Sequence, residues 1–174
     1  MKVLVLYNSE TGNTKKVAEA ICEEFKGEAK LMETKSIKDI SEIDGYEYIF
    51  IGFFVDKGYP DEPTMEFLPK LKEKKLGLFS TLGAYPYSMQ AFRVFARAEE
   101  VLDKSNRIEG CYICQGRVSD ESLKRIAALP PDDPKRSKKS TLRREIGMSH
   151  PDSEDIENAR KIFRNIVDRD LKGF

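Results

Sequence analysis

The chain has 174 residues, room for one ordinary domain with a substantial core. It is 40% hydrophobic, and its 30 Lys and Arg balance 30 Asp and Glu to a formal net charge of zero. That balance argues against a nucleic-acid binder, which carries a basic excess; no run approaches the ~18 apolar residues of a membrane span, and three cysteines suggest no disulfide framework.

The chain opens on Met1-Lys2-Val3-Leu4-Val5-Leu6-Tyr7, too short an apolar run for a signal peptide and without a small-residue cleavage site, so the expected compartment is a reducing cytoplasm. Short apolar runs rich in β-branched and aromatic residues then recur at Val3–Tyr7, Tyr48–Phe54, Leu76–Thr81 and Ile108–Cys114, with a weaker one at Ala29–Glu33. Runs apolar on successive positions fit strands covered on both faces, as in a parallel sheet. Between them, Val17, Ala18, Ile21, Cys22 and Phe25 mark one helix face. Met65, Leu68 and Leu71 mark a second; Ala91, Phe92, Phe95, Ala98, Val101 and Leu102 mark a third. A long last helix carries Ile156, Ala159, Ile162, Phe163, Ile166 and Val167. Alternating strand and helix over this length predicts a doubly wound α/β sheet in one domain, residues 1–174.

Residues 117–150 break the alternation. A short amphipathic piece (Leu123, Ile126, Ala127, Leu129) leads to Pro130-Pro131-Asp132-Asp133-Pro134, and then Lys135–Arg144 holds six basic residues and no acidic one. The expectation is a solvated surface insertion; its sharper alternative is a docking patch for an acidic partner or a phosphate-bearing ligand.

The chemistry concentrates after the first strand. Tyr7-Asn8-Ser9-Glu10-Thr11-Gly12-Asn13-Thr14 runs from an apolar strand into an amphipathic helix. Bare N–H groups at a helix N-terminus bind phosphate without Lys or Arg, and Ser9, Thr11, Thr14 and Asn13 can add hydroxyl and amide donors. The Gly-Lys-Ser/Thr ending of a triphosphate loop is missing, as are two glycines of the dinucleotide turn. Capping alone would also favour such residues.

Ser9-Glu10-Thr11-Gly12-Asn13-Thr14 resembles the phosphate loop of the flavodoxins, Thr/Ser-x-Thr-Gly-x-Thr, at every specified position. The resemblance extends over all five strands and the last helix, and a subgroup of short flavodoxin-like proteins shares Cys114-Gln115-Gly116 and His150-Pro151-Asp152. It implies a three-layer sandwich, a five-stranded parallel sheet in order 2-1-3-4-5, and FMN at the switch point beyond strands one and three. By the same resemblance, Ser9, Glu10, Thr11, Gly12, Asn13 and Thr14 hold the phosphate. Phe54, Val55, Asp56, Lys57 and Gly58 after strand three, and Thr81, Leu82, Gly83, Tyr85 and Tyr87 after strand four, surround the flavin ring. Phe54 and Tyr85 are the expected ring contacts, with Tyr87 beside them; backbone near Gly58 and Gly83 meets the polar edge. Lys57 departs from the acidic surroundings usual in the family, and a cation beside the ring would favour its reduced, anionic form.

The implied function is an FMN-binding carrier of electrons between a reductase and a terminal oxidoreductase, touching redox partner proteins transiently, without nucleic acid or membrane. The alternative is an FMN-dependent NAD(P)H oxidoreductase acting on quinones or related acceptors; a third class is a flavin-free binding module. Cys111 and Cys114 lie three apart in an expected strand and so on opposite faces, which disfavours a redox pair. Cys22 reads as core. His150, the lone histidine, sits in the grammar of a helix start.

Overall fold

The computed structural model describes residues 2–173. Its elements in chain order are β1 (Val3–Tyr7), α1 (Asn13–Glu24), β2 (Ala29–Glu33), β3 (Tyr48–Asp56), β4 (Tyr59–Pro60), α2 (Glu62–Phe67), β5 (Lys75–Leu82), α3 (Met89–Val101), β6 (Arg107–Gln115), α4 (Asp120–Ala127), α5 (Lys138–Gly147) and α6 (Ser153–Leu171). Five strands run parallel in the order β2-β1-β3-β5-β6. Apart from the two-residue β4, this is the 2-1-3-4-5 order that the resemblance implies.

Pleat alternation divides the apolar runs between two cores. Val3, Val5, Tyr7, Phe50 and Phe79 face α1 and α6, where Val17, Ile21, Phe163 and Val167 meet them. Leu4, Leu6, Ile49, Ile51, Phe53 and Leu78 face the other way, toward Leu68, Leu71, Val94 and Ala98. Helix layers on both sides of one sheet make the three-layer sandwich. Phe163 is fully buried, 4.7 Å edge-on from the Phe50 ring and 5.5 Å from Phe79. Gly77 makes room for it: a Cβ there would lie 2.6 Å from the Phe163 ring.

Three local features differ from expectation. The helix expected through Leu71 stops at Phe67 and passes through a 3-10 turn at Leu68–Lys70, because Pro69 has no N–H to continue the ladder. Strand three does not end at Phe54; it continues to Asp56 and folds back through Lys57 and Gly58 into β4, pairing Asp56 with Tyr59. Both turn residues have positive φ, 48° and 87°, as a type I′ hairpin requires. Finally, the 117–150 insertion is not loose: it folds into α4 and α5, each N-capped by a serine, Ser119 and Ser137, accepting from a backbone N–H. Among the described residues no helix is long and apolar enough to cross a membrane.

Candidate functional site

β1 delivers the chain to a loop fixed at both ends. Asn8 is buried, and its amide donates to Asp61 Oδ1 and Thr64 Oγ1, each at 3.0 Å. Asp61 caps α2 through the Thr64 N–H at 3.1 Å. Burial holds its carboxyl above the ordinary 3.8, against hydrogen bonds from Thr64 and Asn8 that lower it. At the far end Gly12, with φ 87°, turns the chain into α1, and its carbonyl accepts from Lys16 N–H at 3.0 Å. A Cβ on Gly12 would meet nothing within 4 Å, so the space over the turn is open.

Within the loop, Ser9 Oγ is buried and has no hydrogen-bond partner among the described residues. Thr14 Oγ1 points inward, 2.9 Å from Thr81 Oγ1, both residues being buried. The Asn13 amide donates to Arg117 O at 2.9 Å. Those two side chains thus brace the loop, which leaves the unpaired first-turn N–H groups of α1 and the Ser9 and Thr11 hydroxyls as its donors. No acidic residue occupies the first turn of α1 to compete for them.

The loop opens onto a cavity of about 470 Å³ at the C-terminal ends of β1, β3 and β5. Glu10, Thr11 and Asn13 border it on one side, and Phe54, Val55, Asp56, Lys57, Thr81, Leu82 and Gly83 on another. The β3–β5 register, which sets Phe54 opposite Thr81, brings those two walls together. Gly58 stands outside: it is buried in the hairpin, where its carbonyl accepts from Arg97, whose guanidinium lies 3.8 Å from the centre of the Tyr59 ring. Tyr85 and Tyr87 also stand outside. Their rings stack on each other, centroids 5.3 Å apart and 6° from parallel, and Tyr87 is exposed. Of the three expected aromatics, Phe54 alone borders the cavity.

The remaining wall comes from the insertion, whose composition predicts a solvated surface segment instead. Arg125, Ile126, Leu129, Lys135, Arg143 and Arg144 border the cavity. Gln115 Nε2 donates to Arg143 O at 2.8 Å, and a Cβ on Gly147 would lie 2.9 Å from Gln115 Nε2 and 3.3 Å from Gly116 O, so α5 lies hard against the end of β6. The signal in the sequence was the basic run itself, together with apolar Ile126 and Leu129 at helical spacing.

Two other clusters resolve into structural roles. His150 Nδ1 lies 2.6 Å from Asp155 Oδ2, and Asp152 stands close by. These carboxylates cap α6: Asp152 Oδ1 accepts from Glu154 and Asp155 N–H, and Asp155 Oδ2 accepts from Asp152 N–H. Cys111 reaches the surface, yet surrounding atoms desolvate its thiol and push it up to about 11; buried Cys114 is raised further by the same cause. Neither is a thiolate near neutral pH.

Comparison with known proteins agrees with the fold. A flavodoxin domain model matches residues 4–164. The flavodoxin-like domain-containing protein BilS of Clostridioides difficile (strain CD3) is 33% identical over 177 residues, covering 96% of this chain and 97% of that protein. BilS of Clostridium symbiosum (strain WAL-14163) is 25% identical over 90% of each chain. Among solved structures, oxidised Flavodoxin 2 from Bacillus cereus superposes with a TM-score of 0.60 at 20% identity, over 97% of this chain and 99% of that one. A flavoprotein in complex with FMN from Lactobacillus acidophilus NCFM gives 0.53 at 22% identity, over 71% of this chain and 97% of that one.

Proposed function

The chain belongs to the flavodoxin family, and from that premise we propose that it binds FMN in the cavity and carries electrons between a reductase and a terminal oxidoreductase. The observation that carries the reading is Ser9 Oγ, buried and unpartnered beside a helix N-terminus with open space over Gly12. Leaving a buried hydroxyl unsatisfied costs about 1–3 kcal/mol, and an incoming phosphate oxygen would remove that cost. The residues present therefore fit the cofactor: a main-chain cradle without cations at one end, Phe54 and the ends of β3 and β5 at the other. Bound FMN supplies the redox chemistry; the chain binds it, orients it and sets its electrostatics.

In this reading Ser9, Thr11 and the first-turn N–H groups of α1 would hold the phosphate, and Phe54 would offer the ring an apolar surface. Lys57, at the cavity edge, would favour the anionic reduced form of a bound flavin and so raise its potential. Three free cysteines fit a reducing cytoplasm.

One observation favours the second reading, an FMN-dependent NAD(P)H oxidoreductase. A carrier usually sandwiches its ring between aromatics, but Tyr85 is stacked on Tyr87 and borders no part of the cavity, so Phe54 is the one expected aromatic available to a bound ring. An absorption spectrum recorded during stepwise reduction tests both. Flavin bands that copurify with the protein and bleach in two one-electron stages support the carrier. Rapid bleaching by NADPH alone supports the oxidoreductase, and a protein that takes up no FMN overturns both.

A further inference from the structure

Charge is distributed unevenly around the cavity. The phosphate loop contributes no cation, whereas the insertion brings Arg125, Lys135, Arg143 and Arg144 to the wall it forms. No carboxylate lies within salt-bridge distance of any of the four among the described residues; of the insertion's arginines and lysines, only Arg117 is ion-paired there, to Asp120. Glu10 and Asp56 also border the cavity, but they belong to other segments and pair with none of these cations. Like charges gathered on one wall repel, and in a chain of zero net charge the gathering is local, not a by-product of composition.

The wall is also held in place. Arg144 donates to Lys135 O at 2.8 Å and to Thr141 Oγ1 at 3.1 Å, Arg125 donates to Ser122 Oγ at 2.9 Å, and Gln115 anchors Arg143 through its carbonyl. Arg143 Nε is buried without a hydrogen-bond partner among the described residues. A buried guanidinium N–H left unpaired is a costly donor, and here it belongs to a side chain that borders the cavity.

We infer that this wall is a second anion site: beside the cofactor, the cavity takes a small molecule bearing carboxylate, sulfonate or phosphate groups, bound by Arg125, Lys135, Arg143 and Arg144. The inference rests on the FMN reading of the same cavity, because it assigns the first anion, the cofactor phosphate, to the loop. A phosphate there needs only main-chain N–H groups and hydroxyls, so the four cations are left for another ligand. Guanidinium groups bind planar oxyanions through paired N–H donors, which suits them to carboxylates and their analogues. Because the cations border the cavity, a small ligand fits them better than the surface of an acidic protein does.

Equilibrium binding of oxidised anthraquinone-2,6-disulfonate to the FMN-loaded protein, followed by calorimetry, tests this. Arg143→Gln/Arg144→Gln should weaken binding about tenfold or more, the loss of one charge-assisted contact. Lys138→Gln/Lys139→Gln, the same charge change on the exposed part of α5, should leave it within about twofold, as should neutral menadione in either variant. FMN affinity should stay unchanged throughout. Lys135→Gln, whose ammonium holds no partner among the described residues, gives the same reading should the arginine pair disturb α5. Equal losses in both double variants would mean diffuse steering, such as an acidic protein would use, and would overturn the site. So would an Arg143/Arg144 variant that loses FMN but keeps riboflavin, since the cations would then serve the cofactor phosphate. A protein that takes up no FMN overturns the cofactor reading instead; sulfonate binding that still depends on Arg143 and Arg144 would then stand apart from it.

Discussion

Thr14 and Thr81 share a buried hydroxyl–hydroxyl hydrogen bond of 2.9 Å that fastens the first turn of α1 to the end of β5. It links two walls of the cavity through one contact, and each hydroxyl depends on the other. Thr14→Val or Thr81→Val alone should cost about 1–3 kcal/mol in denaturant unfolding, because the remaining hydroxyl is stranded. The double variant should cost clearly less than the sum, since two methyl groups of similar shape replace the pair. Strict additivity in the cycle would show that the two hydroxyls do not act as a pair.

Ser9 should separate stability from binding. Removing its unpartnered buried hydroxyl in Ser9→Ala should leave the FMN-free protein as stable or up to about 1 kcal/mol more stable. The same change should weaken FMN about tenfold, the worth of one hydrogen bond to a charged group, and leave riboflavin untouched. Flavin fluorescence titrations and thermal unfolding of the free protein measure the two effects. A protein destabilised without ligand would show that the hydroxyl has a partner inside the fold.

The Lys57–Gly58 hairpin offers a backbone test. Gly58 has φ 87°, and a Cβ there would approach the Arg97 guanidinium to 2.9 Å. Gly58→Ala should cost about 1–2 kcal/mol from the left-handed backbone alone, more if Arg97 must move. Gly58→Asn, a residue that tolerates this conformation, should recover part of the backbone share. Equal losses for Ala and Asn would locate the cost in the Arg97 contact.

Asp152 should give a pH-dependent cap. Hydrogen bonds from the Asp155 and Glu154 N–H groups hold its carboxyl below the ordinary 3.8. A lowered folded-state value means that the stabilisation is present above the unfolded value and is lost as pH falls through the folded one. Asp152→Ala should therefore cost about 1 kcal/mol at pH 7, and the gap to the parent protein should close as the pH drops below about 3.8. A gap that persists at pH 2 would point to lost packing, not a lost charge.

The sheet was legible because successive apolar positions, as in Val3–Tyr7 and Tyr48–Phe53, can be satisfied only between two helix layers; its strand order came only with the resemblance that Ser9–Thr14 carries. The loop from Ser9 to Thr14 was legible as a segment, but the division of labour inside it was not. Nothing local says that Asn13 reaches Arg117 or that Thr14 turns to Thr81, partners 104 and 67 residues away. Asn8 escaped notice for the same reason, its partner Asp61 lying in α2's cap. The resemblance puts Tyr85 at the ring, yet its side chain stacks on Tyr87, two residues on. The insertion was the largest gap: polar, proline-rich and basic, it carries a surface composition, and only its contacts with the end of β6, Gln115 on Arg143 O and Gly147 against Gly116 O, show where it lies.

Those contacts also decide where the insertion's charge is felt. In a chain of zero net charge, the cations that α5 and its neighbours bring to one wall act only locally. At physiological salt the reach of exposed charges is about 8 Å, a Debye length, so that wall acts on what has already arrived at the cavity mouth and not on what is still approaching.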